Sequence, residues 1–315
     1  MTFEDLPDLA SRLVGGGAVA CNDEFFAAAD YLVEPAAAVF NPRTFGPKGQ
    51  VYDGWETRRR REPGHDWVIV RLGLRGVVHG VVIDTAWFTG NYPPEASVDV
   101  ATVDGYPSPA ELADVDWRPL LARSPLAGDT RNPFAVAPGE PVTHVRLNIF
   151  PDGGVARLRV HGAVRPDPRL VALSGLVDLA ALSNGGTVIG CSNRHYGTPN
   201  NLLLPGLAGT MGEGWETARR RDDGNDWVLV QLGLPGVVRL AELDTSHFKG
   251  NAPGWASLTG IAIDGDEFEI LPRTRLQPDT VHRFPVEPGV RAEQVRLDVY
   301  PDGGMARLRL RGTPA

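Results

Sequence analysis

The chain lacks the features that mark several large classes of protein. It has only two cysteines in 315 residues, which is too few for a disulfide framework. No apolar run approaches the roughly 18–20 residues that a membrane-spanning helix needs. The N-terminal segment MTFEDLPDLASRL begins acidic and has neither the basic stretch nor the apolar core of a secretory signal. These absences predict a soluble cytoplasmic protein with reduced thiols and no membrane partner.

An excess of positive charge and the common catalytic motifs are also missing. The net charge is −8, whereas a general nucleic-acid binder needs a basic face to neutralise phosphates, so no nucleic-acid partner is expected. There is no P-loop, no GxGxxG after a strand and no GxSxG elbow, which argues against nucleotide-dependent and serine-hydrolase chemistry. No HxH, CxxC or HExxH motif occurs, so spacing alone gives no specific signal for a metal.

The chain does contain a long internal repeat. Residues 53–91 and 213–251 align without a gap, and 23 of these 39 positions are identical. A second block, 145–162, returns at 295–312 with 12 of 18 positions identical. The offset between copies drifts from 160 to 150, and it is 170 between Cys21 and Cys191. The repeat therefore predicts two globular domains, 15–165 and 166–315, rather than a solenoid of short units.

Most segments have the alternation or the short apolar runs of β-strands. In VRLNIF (145–150) alternate apolar residues share one face, and ARLRV (156–160) alternates apolar residues with arginines. WVIVRLGL (67–74) and VVHGVVID (77–84) are predicted as two strands joined by a tight turn around Gly76. PDGG (151–154 and 301–304) is predicted as a turn, because proline sets φ and glycine permits positive φ. The prediction is an all-β sandwich for each copy.

Two segments have a helical pattern, and two cysteines occupy equivalent places. Phe3–Leu13 and Pro168–Leu182 are predicted helices, the second bridging the domains. Cys21 and Cys191 are expected to be small buried apolar side chains, as free cysteines often are.

Both copies contain a Gly-Trp-Glu-Thr segment followed by arginines. Trp55 and Trp215 can be interpreted either as core or loop anchors or as a platform for a ligand. The run Arg58–Arg61 returns as Arg219–Arg221. Arginine suits a small carboxylate because its planar fork makes two parallel hydrogen bonds, but a run of charge is more commonly a solvated face. Both interpretations remain open at this point.

Other polar residues cluster where strands begin or end. Asp66 and Asp226 each begin a strand and are expected mainly to hold a loop in place. A second loop, at a strand end, carries a carboxylate, a hydroxyl and an amide, which is typical of a binding site on a rigid sandwich. Two histidines occur only in the second copy, where they are candidates for an acid–base pair, for metal ligands or for ordinary loop residues. These loop and histidine positions are Asp84, Thr85, Asn91, His195, Asp244, Thr245, His247 and Asn251.

These motifs resemble the allantoicase family. GWETRRRR with GHDW, then DT-x-x-F-x-GN, occurs twice in this order in that family, NDEFFA (22–27) resembles its SDEFFA, and NRHYGTPNNLLLPG (193–206) resembles its second-copy counterpart. The match covers roughly residues 15–312. Asn22 stands where serine is usual, and Asn225 stands where the second copy often has histidine. The resemblance implies two tandem jelly-roll, galactose-binding-like sandwiches, hydrolysis of allantoate to ureidoglycolate and urea, and a homo-oligomer that is a candidate hexamer.

With this resemblance, the polar residues can be assigned candidate roles in an active site. Cleavage requires the carboxylate to be held, one urea to be protonated as it leaves, and water to be delivered to the central carbon. The catalytic candidates are Glu24, His195, Glu216 and His247. The substrate-binding candidates are Trp55, Arg58, Arg59, Thr85, Asn91, Trp215, Arg219, Arg220, Thr245 and Asn251. A divalent metal is a candidate cofactor, with His195, Asp244 and His247 as candidate ligands.

The differences between the copies favour one working site per chain, in one domain or between the two. Two other functions remain open. The sandwich could be a carbohydrate- or ligand-binding module in which the tryptophans stack on sugar. The chain could also be a structural family member without catalysis. The absence of a signal and of a separate catalytic domain argues against the first, and the retention of both repeated blocks argues against the second.

Overall fold

The computed structural model describes residues 2–166 and 175–315. Contacts within the chain divide it into unit 1, Met1–Arg165, and unit 2, Pro166–Ala315. Each unit is an antiparallel β-sandwich, so the predicted all-β fold with two sandwiches is confirmed. Within the described residues, no helix is long and apolar enough to cross a membrane.

Unit 1 contains eleven strands, one short α-helix and three 3₁₀ turns. The strands are β1 (Gly17–Cys21), β2 (Phe45–Gly46), β3 (Gly49–Gln50), β4 (Trp55–Glu56), β5 (Asp66–Asp84), β6 (Glu95–Ala101), β7 (Arg118–Pro125), β8 (Arg131–Ala135), β9 (Val142–Phe150), β10 (Gly154–Val155) and β11 (Arg157–Val164). The helix is α1 (Pro109–Ala113), and the 3₁₀ turns are Phe3–Asp5, Arg12–Val14 and Ala29–Val33.

Over its described residues, unit 2 repeats most of this order, without counterparts of β2, β3 and α1. Its strands are β12 (Val177–Asp178), β13 (Thr187–Cys191), β14 (Trp215–Glu216), β15 (Asp226–Asp244), β16 (Trp255–Ile261), β17 (Glu267–Arg275), β18 (Val281–Pro285), β19 (Ala292–Tyr300), β20 (Gly304–Met305) and β21 (Arg307–Pro314). Its 3₁₀ turns are Leu182–Asn184, Pro199–Leu203 and Met211–Glu213.

One long strand belongs to both layers of each sandwich. The first half of β5 pairs with β1 and β9, and its second half pairs with β8 and β11. The pairing register shifts between Arg71 and Gly76, where the strand passes from one layer to the other. A side chain does not fit at Gly73 in this bend, since a Cβ there would lie 2.4 Å from the Val14 carbonyl oxygen. Strand β15 pairs in the same way with β13, β19, β18 and β21.

The core follows the predicted alternation. Val145, Leu147 and Ile149 on β9 are fully buried, and so are Leu158 and Val160 on β11. The predicted turn between these strands is confirmed as well, because the third residue of PDGG has φ of +144° in unit 1 and +135° in unit 2, which only glycine adopts without strain.

Three local predictions are wrong. The tight turn around Gly76 does not exist, because 67–74 and 77–84 form one continuous strand. Phe3–Leu13 is not a helix but two 3₁₀ turns, since Pro7 lacks an N–H and holds Leu6 in an extended conformation. The predicted helix Pro168–Leu182 lies partly outside the described residues, and its described part forms β12 instead.

The two cysteines are partly exposed rather than fully buried, at the ends of β1 and β13. Burial, together with the negative charge of Glu24, raises the pKa of Cys21 to about 11. Its thiol is therefore protonated at neutral pH and is a weak nucleophile.

Candidate active site

A cleft of about 850 Å³ opens in unit 1 beside the turn Pro151–Gly154. The pairs Asp66–Ile149 and Asp84–Arg157 place both ends of β5 next to this turn. The loops before and after β5 therefore meet here. Their residues line the cleft, among them Phe26, Glu56, Arg58, Arg59, Arg60, Arg61, Asn91, Tyr92 and Asp152.

Glu56 and Asn91 form a carboxyl–amide pair in the cleft. Asn91 Nδ2 donates a hydrogen bond to Glu56 Oε1 at 2.7 Å. The backbone of Asn91 is also fixed, because its carbonyl oxygen accepts a hydrogen bond from Gly154 N at 2.7 Å. This contact holds the side-chain amide in position. No other described residue donates to the Glu56 carboxyl group, so Oε2 is available to a ligand. This arrangement suits a group that gives and takes a proton.

Burial sets the protonation of Glu56. It raises the pKa of this carboxyl group, while the hydrogen bond from Asn91 acts in the opposite direction and offsets part of the effect. A raised pKa keeps a larger fraction of the group protonated near neutral pH, as a general acid requires.

The arginine run alternates between engaged and free side chains. Asp23 and Asp152 accept hydrogen bonds from the backbone N–H groups of Arg58 and Arg60, at 3.0 and 2.8 Å. The Arg58 guanidinium pairs with Asp23 at 2.6 Å. Arg59 is exposed, and it forms no ion pair with any described residue.

Arg60 and Arg61 continue this alternation. The Arg60 guanidinium pairs with the buried Asp66 at 2.6 Å, which confirms that Asp66 holds this loop. Arg61 is exposed and, like Arg59, has no ion-pair partner in the part of the chain that the structure describes. The wall of the cleft thus carries two guanidinium groups that are free to bind an anion.

Unit 2 keeps the same framework. Asn251 Nδ2 donates to Glu216 Oε1 at 2.8 Å, and Asn251 O accepts from Gly304 N at 2.8 Å. The Arg220 guanidinium pairs with Asp226 at 2.8 Å, which confirms Asp226 as a loop anchor. Arg219 and Arg221 are exposed and form no ion pair within residues 2–166 and 175–315.

The tryptophans of the Gly-Trp-Glu-Thr segments lie beneath the cleft rather than in it. Trp55 and Trp215 both have 0% of their surface exposed. Their indole N–H groups donate to the backbone oxygens of Asp23 and Asn193, at 2.8 and 2.9 Å. They anchor the loop, so the alternative of a platform for a ligand, or for a stacked sugar, fails because neither ring has a surface to offer.

Thr85 and Thr245 are also structural. Both are fully buried. Each hydroxyl donates to a backbone carbonyl in the loop before β8 or β18, Thr85 Oγ1 to Ala127 O at 2.6 Å and Thr245 Oγ1 to Gln277 O at 2.6 Å. Neither hydroxyl is accessible to a substrate, so the expectation that they bind ureido groups is corrected.

His247 holds a loop in the way that Trp87 does in unit 1. The two residues share a left-handed backbone, with φ of +72° and +71°. His247 Nε2 lies 2.9 Å from Ala208 O, and Trp87 Nε1 donates to Ala38 O at 2.9 Å. Since an indole replaces the imidazole at the equivalent position, the contact needs only an N–H donor. The geometry assigns His247 to loop support instead of acid–base chemistry.

Within the described residues, neither Glu24 nor His195 forms a hydrogen bond with a Glu–Asn pair, although Tyr196, next to His195, bridges to Glu216 through its backbone. Glu24 is exposed, and its Oε2 accepts a hydrogen bond from Ala29 N at 3.0 Å, at the start of a 3₁₀ turn. His195 is exposed in the loop after β13. No group of three or more His, Cys, Asp or Glu side chains among the described residues is arranged to hold a metal ion, so His195, Asp244 and His247 do not form the expected metal site.

One site residue, Glu56, was missed as a candidate, although it is the unit 1 counterpart of Glu216. Arg61 and Arg221 were considered only as members of the two arginine runs. The internal repeat carried the signal for all three, since each is identical in both copies. What the sequence does not reveal is which arginines are already paired, because a partner can lie far along the chain, as Asp23 lies 35 residues from Arg58.

The chain is similar to known proteins in both sequence and structure. The family model described as "Allantoicase repeat" matches residues 7–165 and 177–315. A "Probable allantoicase" of Nocardia farcinica is 60% identical over 98% of this chain and 95% of its own length. A "Probable allantoicase" of Streptomyces coelicolor is 48% identical over 99% of this chain and 87% of its own. The crystal structure of allantoicase from Saccharomyces cerevisiae superimposes with a TM-score of 0.86, at 33% identity, over 98% of this chain and 93% of that one.

Proposed function

The chain belongs to the allantoicase family, and we propose that the cleft of unit 1 is where its reaction takes place. That reaction is the hydrolysis of allantoate to ureidoglycolate and urea, a step in purine breakdown. The observation that carries the assignment of the site is the Glu56–Asn91 pair beside two unpaired guanidinium groups, Arg59 and Arg61.

Substrate binding follows from the charges in the cleft. Allantoate has one carboxylate and two ureido groups on a single carbon. Arg59 and Arg61 bind the carboxylate, because a guanidinium donates two parallel hydrogen bonds to its two oxygens. Both arginines are already free of internal ion pairs, so binding does not require an existing pair to be broken.

Glu56 performs the proton transfers. In its protonated form it gives its proton to the nitrogen of the departing ureido group. The C–N bond breaks, urea leaves, and the lone pair of the other ureido nitrogen forms a C=N bond to the central carbon. The Glu56 carboxylate then takes a proton from a water molecule whose oxygen adds to this carbon. Ureidoglycolate is formed, and Glu56 is protonated again for the next turnover.

Asn91 positions this carboxyl group. Its amide fixes Oε1, so that Oε2 faces the reaction, and it stabilises the carboxylate form that must accept the proton from water. We propose one working site per chain, in unit 1, because burial raises the pKa of Glu56 and because Tyr92 lines this cleft where unit 2 has Ala252.

The compartment and the oligomer are part of the same proposal. We propose a cytoplasmic enzyme, which agrees with two cysteines that are both unpaired. We also propose a homo-oligomer, for which a hexamer is the form that the family resemblance suggests. Light scattering on the purified protein measures the mass of the assembly directly, and a monomer of 33.9 kDa would refute this part.

The test of the site combines turnover with binding. The purified protein should release urea from allantoate, whereas Glu56→Gln should still bind allantoate in a calorimetric titration but release almost no urea. A Glu56→Gln variant with normal turnover would overturn the role of Glu56. The same assay after chelator treatment shows whether a divalent metal takes part, because release that is lost and then restored by one metal would establish a metal-assisted reaction.

A further inference from the structure

A second cavity, of about 230 Å³, lies in unit 2 against strands β15, β18 and β21. We call it the arginine cavity. Its volume is below the roughly 300–1,000 Å³ of pockets for drug-sized ligands, so it suits a molecule of few atoms. The charged residues that line it are Glu242, Asp244, Arg283, Arg307, Arg309 and Arg311.

Asp244 supplies an unused hydrogen-bond acceptor at the floor of this cavity. Only 3% of its surface is exposed. Its Oδ1 accepts from Ser246 N at 2.7 Å, but Oδ2 is buried and takes no hydrogen bond from any described residue. A buried carboxylate oxygen without a donor is costly, so this atom favours a ligand that brings an N–H group.

Arg283 and Arg311 supply unused donors at the rim. Their side chains are 67% and 41% exposed. Both bind Glu242 through Nε alone, at 3.2 and 2.5 Å. The terminal nitrogens of these two guanidinium groups make no hydrogen bond within the described residues, and they are well suited to a carboxylate.

The other two arginines of the cavity, Arg307 and Arg309, already form hydrogen bonds within the protein. Arg307 donates to the carbonyls of Glu213 and Ala306, at 2.7 and 2.7 Å. Arg309 donates to Gly206 O at 2.8 Å and lies 3.7 Å from the carboxylate of Asp178. The free groups of the cavity are therefore one acceptor at the floor and several donors at the rim.

Unit 1 does not build this arrangement. Val82 stands at the position of Glu242, Pro133 at that of Arg283 and His161 at that of Arg311. Asp84, the counterpart of Asp244, is more exposed. The arginine cavity is therefore a specialisation of unit 2 and not a by-product of the shared fold.

We infer that the arginine cavity binds a small carboxylate that also carries N–H donors. The carboxylate lies against Arg283 and Arg311 at the rim, and an N–H group reaches Asp244 Oδ2 at the floor. Two kinds of molecule have this chemistry, namely a ureido acid, as substrate and product are, and an α-amino acid. The inference concerns a site other than the catalytic cleft and does not depend on the assignment of Glu56.

The experiment is a calorimetric titration of the full chain with N-carbamoylglycine, a stable ureido acid, and with glycine. Arg59, Arg61, Arg219 and Arg221 are replaced by Gln in the protein used, so that neither Glu–Asn cleft retains its free arginines. One of the two probes should bind, and Asp244→Asn should weaken that binding by about tenfold or more, since an N–H acceptor becomes a donor. Asp84→Asn is the matched control and should have no effect.

The two probes distinguish the sources, and two further ligands test the inference itself. Preference for N-carbamoylglycine identifies a ureido acid, and preference for glycine identifies an amino acid. If acetate or urea alone binds as well as the preferred probe, the paired recognition is refuted. Unchanged binding in Asp244→Asn, or an equal loss in Asp84→Asn, would overturn the site.

A rim variant keeps the inference testable if Asp244→Asn does not fold, which thermal unfolding would reveal. Arg283→Gln with Arg311→Gln changes only exposed side chains and should also weaken binding about tenfold or more. Because urea release is not measured here, failure of the catalytic assignment leaves this result unaffected, and the reverse also holds.

Discussion

The surroundings of the two Glu–Asn pairs share their framework and differ in the residues around it. Both units hold a carboxyl–amide pair, Glu56 with Asn91 and Glu216 with Asn251, at 2.7 and 2.8 Å. Both also have two exposed arginines that form no ion pair with the residues that the structure describes. The surrounding residues differ, because Tyr92 of unit 1 corresponds to Ala252 of unit 2. A reaction at either pair must use the shared carboxyl, amide and guanidinium groups. The units have diverged in the residues around these groups.

Contacts that hold the loops show the same division on a smaller scale. Asp23 in unit 1 becomes Asn193 in unit 2, and each accepts a backbone N–H at 3.0 Å. Asp23 also binds the guanidinium of Arg58, and that ion pair is absent from unit 2, where the residue is Ala218. The two units therefore share the hydrogen bond that fixes the loop backbone. The ion pair between Asp23 and Arg58 is found in unit 1 alone among the described residues.

The largest difference in activity between the two units is expected when the carboxyl groups of Glu56 and Glu216 are removed one at a time. Glu56→Gln should lower kcat for urea release by about 10²–10⁴, the range of general acid–base catalysis, because an amide cannot donate the proton. Glu216→Gln should lower it much less. Equal losses from the two variants would show that both clefts react and would contradict a single working site per chain.

The free arginines should give the next largest difference. Replacing Arg59 and Arg61 by Gln should raise KM for allantoate by about 10–100-fold, since hydrogen bonds to a charged group are lost. The matched change at Arg219 and Arg221 should leave KM within about twofold. Steady-state urea release measures both, and a larger effect in unit 2 would move the site there.

Removing the amide from each pair should shift a pH profile in one unit only. The hydrogen bond from Asn91 lowers the pKa of Glu56 against the rise caused by burial, so Asn91→Ala should raise this pKa further. Glu56 must be protonated to release urea, and activity that depends on it falls as pH rises through the pKa. The basic limb of kcat should therefore move to higher pH.

The matched variant Asn251→Ala should leave that limb where it is. Both profiles are measured as urea release over a pH series. If the acidic limb moves to higher pH in Asn91→Ala while the basic limb stays in place, Glu56 acts only as a base, and the proposed first proton transfer would have to be abandoned.

The smallest effect is expected from exchanging the loop supports between units. His247→Trp should keep near-normal turnover, because Trp87 makes the equivalent N–H contact in unit 1. His247→Ala should lose about 1 kcal/mol of unfolding free energy, the usual net value of one hydrogen bond, and still turn over. Thermal unfolding and urea release together check this, and a strong loss of kcat in a folded His247→Ala would restore the histidine as a catalytic candidate.

The sequence predicted the fold well because the evidence for it was repeated and local. Alternation along VRLNIF and ARLRV identified core faces without knowledge of any partner strand. The bend of β5 was missed because its cause is distant, namely the backbone of Val14 packed against Gly73. A glycine in an apolar run has the same local signature whether the chain turns back or merely changes layer.

The site was harder to predict for a similar reason. Sequence identified Glu216, Asn91 and Arg59 as polar residues kept in both copies, and the cleft contains these residues or their counterparts. It could not tell that the side chain of Trp55 is fully buried or that Arg58 is paired with Asp23. Burial and pairing depend on residues far along the chain, so the sequence also did not reveal that Thr85 is buried or that His247 contacts Ala208 O.

Strand β5 forms hydrogen bonds in both layers of unit 1, and this arrangement determines how the unit unfolds locally. Hydrogen bonds of both layers end on this one strand, so neither layer can separate while the other remains intact. Amide protons on β9 and β11 should therefore exchange with solvent deuterium through a common opening event, with a single free energy. The cleft lies where both ends of that strand meet, and its shape is thus coupled to the most cooperative part of the unit instead of to a mobile lid.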